Sequence, residues 1–219
     1  MFGPVILIAR DPLVLLLLVL AVLGGLTLHN VVQAALARRL GDRTAYDAGF
    51  TSPEPPVHHS LASLLLYLVL GLSLPRPVPL RLHGWRAALT LLSGPVTLLL
   101  TALLLLVLQR LQQLTLSSFD PLGLALGRAA YGLTQHAVFF LLPLPILDLG
   151  RAALLAGSGV PLSPEQDRWA VQRRWLAPLS PAAAPLAYIL WLLLALTGRI
   201  GWAADPFWRG LGNVVSLLP

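Results

Sequence analysis

Apolar residues along this chain come in long runs, broken by short polar stretches, with neither strict alternation nor a narrow helical stripe. Crossing a bilayer as a helix takes about 20 mostly apolar residues, and several runs approach that length. The first extends from about Leu13 to Ala37 and takes on His29, Asn30 and Gln33 in its last turns. The second, SLASLLLYLVLGLSL, begins after His59 and ends at Pro75. The third, Ala87 to Leu108, contains Gly94-Pro95, which predicts a kink or a close helix contact. The fourth, about Ala129 to Ala156, is interrupted at LLPLPILD; the fifth, AAAPLAYILWLLLALTG, ends at Gly198. A tail with Trp202, Phe207 and Trp208 reads as interfacial rather than spanning. The pattern predicts an all-α integral membrane protein with about five transmembrane helices. Its linkers are short, so 1–219 reads as a single membrane domain, with a polar loop, a final span and the tail in 158–219.

Composition narrows the class without changing it. Of the 219 residues 57% are hydrophobic and 11% charged, more apolar surface than a soluble domain of this size could hide. Eighteen glycines and nineteen prolines suit a membrane bundle, where neighbours satisfy the freed backbone groups. All fifteen basic residues are arginine, and the net charge of +6 favours the anionic headgroups of a lipid bilayer. No basic stripe is interleaved with aromatics, which speaks against nucleic acid as a partner. Arginines lie in every loop, so charge does not set the orientation. There is no cysteine, which excludes a disulfide framework, a thiolate zinc site and a thiol nucleophile. Arg10 before an apolar run and Ala35-Leu36-Ala37 after it resemble a signal peptide. The run is too long for an h-region of roughly 7 to 15 residues, so retention as a membrane helix is expected.

Two places carry polarity inside these runs. His29 and Gln33 stand at i and i+4, sharing one face of a helix, and Asn30 lies alongside Gln33 at i+3. That is the spacing of H-E-x-x-H, in which two histidines hold zinc and the glutamate is the general base. The other place is Asp148, behind Pro143 and Pro145 in FFLLPLPILDLGR. A carboxylate inside a spanning segment is costly and is a functional candidate by default. The two prolines break the helix there, which suits backbone buried in protein or facing a cavity.

Together these stretches resemble the site-2 protease family, the intramembrane zinc metalloproteases. His29-Asn30-Val31-Val32-Gln33, then Ala34 and Leu40-Gly41-Asp42, is similar to that family's first motif helix. Ser52-Pro53 with His58 is similar to its Asn-Pro loop, Arg76-Pro77-Val78-Pro79-Leu80 to its KPVPV segment, and Ser93-Gly94-Pro95 to its Ala-Gly-Pro helix. The run Phe139 to Arg151 resembles FNLLPIPPLDGGR, in which the aspartate, here Asp148, is the third zinc ligand. The likeness covers about Leu13 to Arg151, in order. It implies a site-2-protease-like bundle over 1–157, multi-pass in a prokaryotic cell membrane, with ligand positions at His29, Gln33 and Asp148 and the base position at Asn30. Gly94, Pro95, His136, Phe140, Pro143 and Pro145 would line the cavity or form helix contacts.

The departures fall on the chemistry. Gln33 replaces the second histidine, Asn30 the glutamate, and Phe140 the asparagine before Leu-Leu-Pro. An amide oxygen is a weak neutral donor beside imidazole, and asparagine takes no proton near neutral pH. Zinc catalysis needs three protein ligands and an open position for water. Three readings follow. One is a proteolytically inactive member whose polar residues form a seam between helices, with Asp148 as a partner, and which binds a transmembrane segment or partner protein with no cofactor. Another is an active metalloprotease with unusual ligation, zinc being the metal if one is bound. The third is a transporter or channel, although paired broken helices in two halves are missing. His58, His59 and His83 are expected as loop histidines, and His136 in an interhelical hydrogen bond.

Overall fold

The computed structural model describes residues 3–115, 120–144, 146–156 and 184–217; among these it is all-helical, without a strand. A 3-10 segment, Pro4–Ala9, leads into α1, Pro12–Arg39. Asp11 caps α1 by accepting from Val14 N at 3.1 Å, Pro12 stands where no helical N–H is needed, and Arg38 and Arg39 suit its negative C-terminal end. Two four-residue helices follow, α2 (Thr44–Asp47) and α3 (Pro55–His58), then α4 (Leu61–Leu70). The chain continues through α5 (Gly84–Thr115), α6 (Pro121–Phe140), α7 (Asp148–Ala156), α8 (Ala184–Thr197) and α9 (Arg199–Val215).

Among the described residues two helices are long and apolar enough to cross a membrane: α1, with mean hydropathy 2.3, and Gly84–Leu114 of α5, with 2.4. Their outer faces are apolar, with Val96, Leu100, Leu104 and Leu108 of α5 and Leu16 and Leu20 of α1 exposed at i, i+4 spacing. The second apolar run behaves otherwise. Only ten of its residues are helical, about 15 Å of rise against roughly 30 Å of hydrocarbon. Gly71, at φ 78°, ends α4 in the left-handed region, its N–H bonded to Tyr67 O at 2.7 Å, and the chain then runs extended to α5. The fifth run is helical over Ala184–Thr197, and the tail forms α9, which buries Ile200 and Ala204 and exposes Trp202. The polar loop read in 158–183 lies outside the described residues.

Three helices set the frame. In α1 and α6, Val22 neighbours Gly132, Gly25 takes the side chain of Leu133, and His29 meets Phe140, so the two run in the same direction. Gly123 and Gly127 of α6 receive Gln112 and Gln109 of α5, an antiparallel pairing. The core between them is Leu18, Val22, Leu26, Leu98, Ala102, Leu133 and Phe139.

Candidate functional site

The polar turns of α1 are buried: His29, Asn30 and Gln33 are each at most 2% exposed. Their i, i+4 spacing brings His29 and Gln33 to the same carboxylate oxygen. His29 Nε2 lies 2.6 Å from Asp148 Oδ2, and Gln33 Nε2 donates to that oxygen at 3.0 Å. Pro143 makes this meeting possible. It ends α6 at Phe140, and Leu144 N then bonds Leu142 O and Leu147 N bonds Leu144 O before Asp148 opens α7. Pro145 lies outside the described residues.

Neighbouring groups fix the orientation of each side chain. Asn30 Nδ2 donates to Arg76 O at 3.0 Å, which turns Asn30 Oδ1 toward His29 Nδ1 at 2.9 Å. An amide oxygen only accepts, so Nδ1 of His29 is the donor in that bond. Phe140 stacks on the imidazole with centroids 4.7 Å apart. Gly94 closes the third side, where a methyl would overlap both His29 and Gln33.

Gln33 has a second duty. Pro95 has no N–H, so the carbonyl four residues earlier, Leu91 O, loses its helical donor. Gln33 Nε2 donates to it at 2.9 Å. With both acceptors on its nitrogen, the amide cannot turn its oxygen to Asp148. Helix α5 passes through Pro95 unbroken, helped by Thr90, Thr97 and Thr101, whose hydroxyls bond the carbonyls one turn back. The expected contact at Gly94-Pro95 is therefore with α1.

In this arrangement His29, Gln33 and Asp148 bond one another directly. Two ligand atoms on a tetrahedral zinc, each about 2.0–2.1 Å from the metal, would stand about 3.3 Å apart. His29 Nε2 and Asp148 Oδ2 are 2.6 Å apart, at hydrogen-bonding distance. Gln33 presents N–H groups where a donor lone pair is needed. Among the described residues no three of His, Cys, Asp or Glu are grouped to hold a metal.

Three of the other four histidines make hydrogen bonds of their own. His136, fully buried, donates from Nδ1 to Gly132 O at 2.7 Å and accepts at Nε2 from Ser73 N at 2.9 Å, tying α6 to the chain after α4. Ser73 in turn meets Ser63 of α4, Oγ to Oγ, at 2.7 Å. His58 and His59 correct the expectation of interfacial loop histidines: both are buried. The Pro-rich loop folds back against α1, so that His58 donates to Ser52 O at 2.7 Å and His59 Nε2 meets Thr27 Oγ1 at 3.1 Å. His83 stays exposed.

Three contacts had no sequence signal of their own. Arg151 donates to Val78 O at 2.6 Å, and Arg76 N bonds His58 O, so the extended stretch before α5 is laced across the site. Asp42, in the Leu-Gly-Asp after α1, accepts from the N–H groups of Thr44, Arg81 and Leu82 at 2.9, 2.6 and 3.2 Å. Burial pushes its carboxyl up, but the bonds from Thr44, Arg81 and Leu82 outweigh this and hold it below the usual carboxylate range. The free carbonyl at Leu91, by contrast, was readable from Pro95.

No family model, curated protein or solved structure matches the chain.

Proposed function

We propose that this chain is a site-2-protease-like multi-pass membrane bundle that does not cut peptides and instead binds a transmembrane segment of another protein. The observation that carries this reading is the direct bonding of Asp148 Oδ2 to His29 Nε2 and Gln33 Nε2. The groups at the ligand positions bond one another through His29 Nε2, Gln33 Nε2 and Asp148 Oδ2, Gln33 Oε1 is buried without a partner among the described residues, and Asn30 commits its amide to Arg76 O and His29. No group within this cluster is left to activate water. A docking role is supported by α4: it is too short to span, faces inward through Ser63 and Tyr67, and exposes a row of Leu61, Leu65 and Val69. Such a row at i, i+4 and i+8 suits another apolar helix. On this reading the chain is multi-pass in a prokaryotic cell membrane and needs no cofactor.

The test uses purified protein in proteoliposomes with a co-reconstituted transmembrane peptide. Expected are no cleavage product, bound zinc far below one per chain, and a peptide affinity that falls on Leu65→Asp. Cleavage abolished by a chelator and by His29→Ala would overturn the reading.

A further inference from the structure

A second feature lies away from this cluster. The 3-10 segment, the first turns of α1, the end of α4, α6 and the α8–α9 corner enclose a cavity of about 580 Å³, within the range of ligand-binding pockets. Its walls include Leu7, Leu18, Leu70 and Leu194, and its charged residues are Arg10 and Arg128. Neither arginine has a carboxylate partner within 4.0 Å among the described residues. The nearby Asp205 is turned to the Tyr131 hydroxyl, 3.5 Å away.

The depths of the two arginines differ. Arg10 precedes α1, at the level where an apolar span begins. Arg128 stands one turn before Gly132, which neighbours Val22, so it lies near the level of Leu18, about 9 Å along the span. Both arginines are exposed and line the cavity beside its leucine walls, where a guanidinium favours an anionic partner. The cavity offers the space, and the apolar walls suit a chain attached to the anion.

We propose that this cavity holds one anionic phospholipid, its phosphate between Arg10 and Arg128 and one acyl chain along Leu18, Leu70 and Leu194. Two arginines without a carboxylate partner among the described residues, opening onto leucine walls, match a negative head on an apolar tail. The proposal is independent of whether the His29–Asp148 cluster is inert.

Native mass spectrometry of the full chain released from nanodiscs of equal phosphatidylglycerol and phosphatidylcholine tests it. One phosphatidylglycerol should remain per wild-type chain, retained in preference to phosphatidylcholine. That preference should fall about fivefold with Arg128→Gln and again with Arg10→Gln, and be partly kept by Arg128→Lys. Leu194→Trp, which fills the cavity from its apolar side, should displace the lipid while leaving both arginines in place. Equal retention of the two lipids, retention of a free fatty acid instead, or no retained lipid would each overturn the proposal. So would a preference that survives both arginine substitutions.

Discussion

Asp42 and Asp148 are both buried carboxylates, 7% and 4% exposed, and they are satisfied in opposite ways. Asp42 sits beyond the end of α1 and collects backbone N–H groups from the chain around it. Those donors are uncharged backbone groups, one from Thr44 two residues on and two from Arg81 and Leu82 in the extended stretch before α5. Asp148 sits among helices and collects side chains, an imidazole and an amide from α1. Its partners are there because three helices pack so that they meet. The first arrangement is a loop clamp, and the second holds the bundle's interior together with the same chemical group.

The largest expected effect tests the second arrangement. Asp148→Ala would leave His29 Nε2 and Gln33 Nε2 facing a void, and removing one partner of a buried pair costs about 3–5 kcal/mol. Thermal unfolding in detergent should show it, with Asp148→Asn intermediate; a variant as stable as the wild type would mean that the cluster contributes nothing to holding the helices.

Asp42→Ala comes next, at about 1.5–3 kcal/mol, because hydrogen bonds to a charged acceptor are lost. The Asp42 carboxyl titrates lower in the folded chain than its ordinary value of 3.8. Its contribution is therefore complete above that value and is lost as pH falls through the lower, folded one. Unfolding midpoints measured from about pH 5 downward should fall less steeply in Asp42→Asn than in the wild type. Equal slopes would remove Asp42 from the acid response.

A double-mutant cycle sharpens the role of Gln33. Gln33→Leu should destabilise by about 1–3 kcal/mol, since Leu91 O and Asp148 each lose a donor. In a Pro95→Ala background the penalty should shrink by about 0.5 kcal/mol or more, because the substituted alanine supplies the helical N–H that Leu91 O lacks. Additive effects would show that Gln33 does not compensate for the proline. The smallest change is expected from Ser73→Ala, about 0.6 kcal/mol, typical of one side-chain hydrogen bond between membrane helices. It leaves the Ser73 N–H on His136 untouched, so a loss of several kcal/mol would assign the Ser63–Ser73 pair a larger role.

Much of this site could be seen in the chain itself, and the reason is periodicity. His29 and Gln33 share a face by spacing alone, and Pro143 announces a break just before Asp148. The absence of a helical donor for Leu91 O follows from Pro95. Helix lengths were less legible. The run after His59 is apolar enough to suggest a span, but the helix ends at Gly71 because a left-handed residue and the Ser73–His136 bond turn the chain aside. The burial of His58 and His59 was not legible for a related reason: the return of the Pro-rich loop to α1 depends on Thr27, 32 residues from His59.

Residue order by itself determined that the described chain would be helical, that α1 and α5 would be long and apolar, and that imidazole, carboxamides and a carboxylate would stand at positions spaced for a common cluster. These are consequences of side-chain chemistry and helical pitch. Only the tertiary structure decided that Asp148 meets His29 and Gln33 directly, because a hydrogen bond of 2.6 Å depends on how α1, α5 and α7 approach across a wall formed by Gly94. The partition of the Gln33 amide between Leu91 O and Asp148 is likewise a matter of packing. Spacing along one helix cannot specify which atoms of two others come within reach.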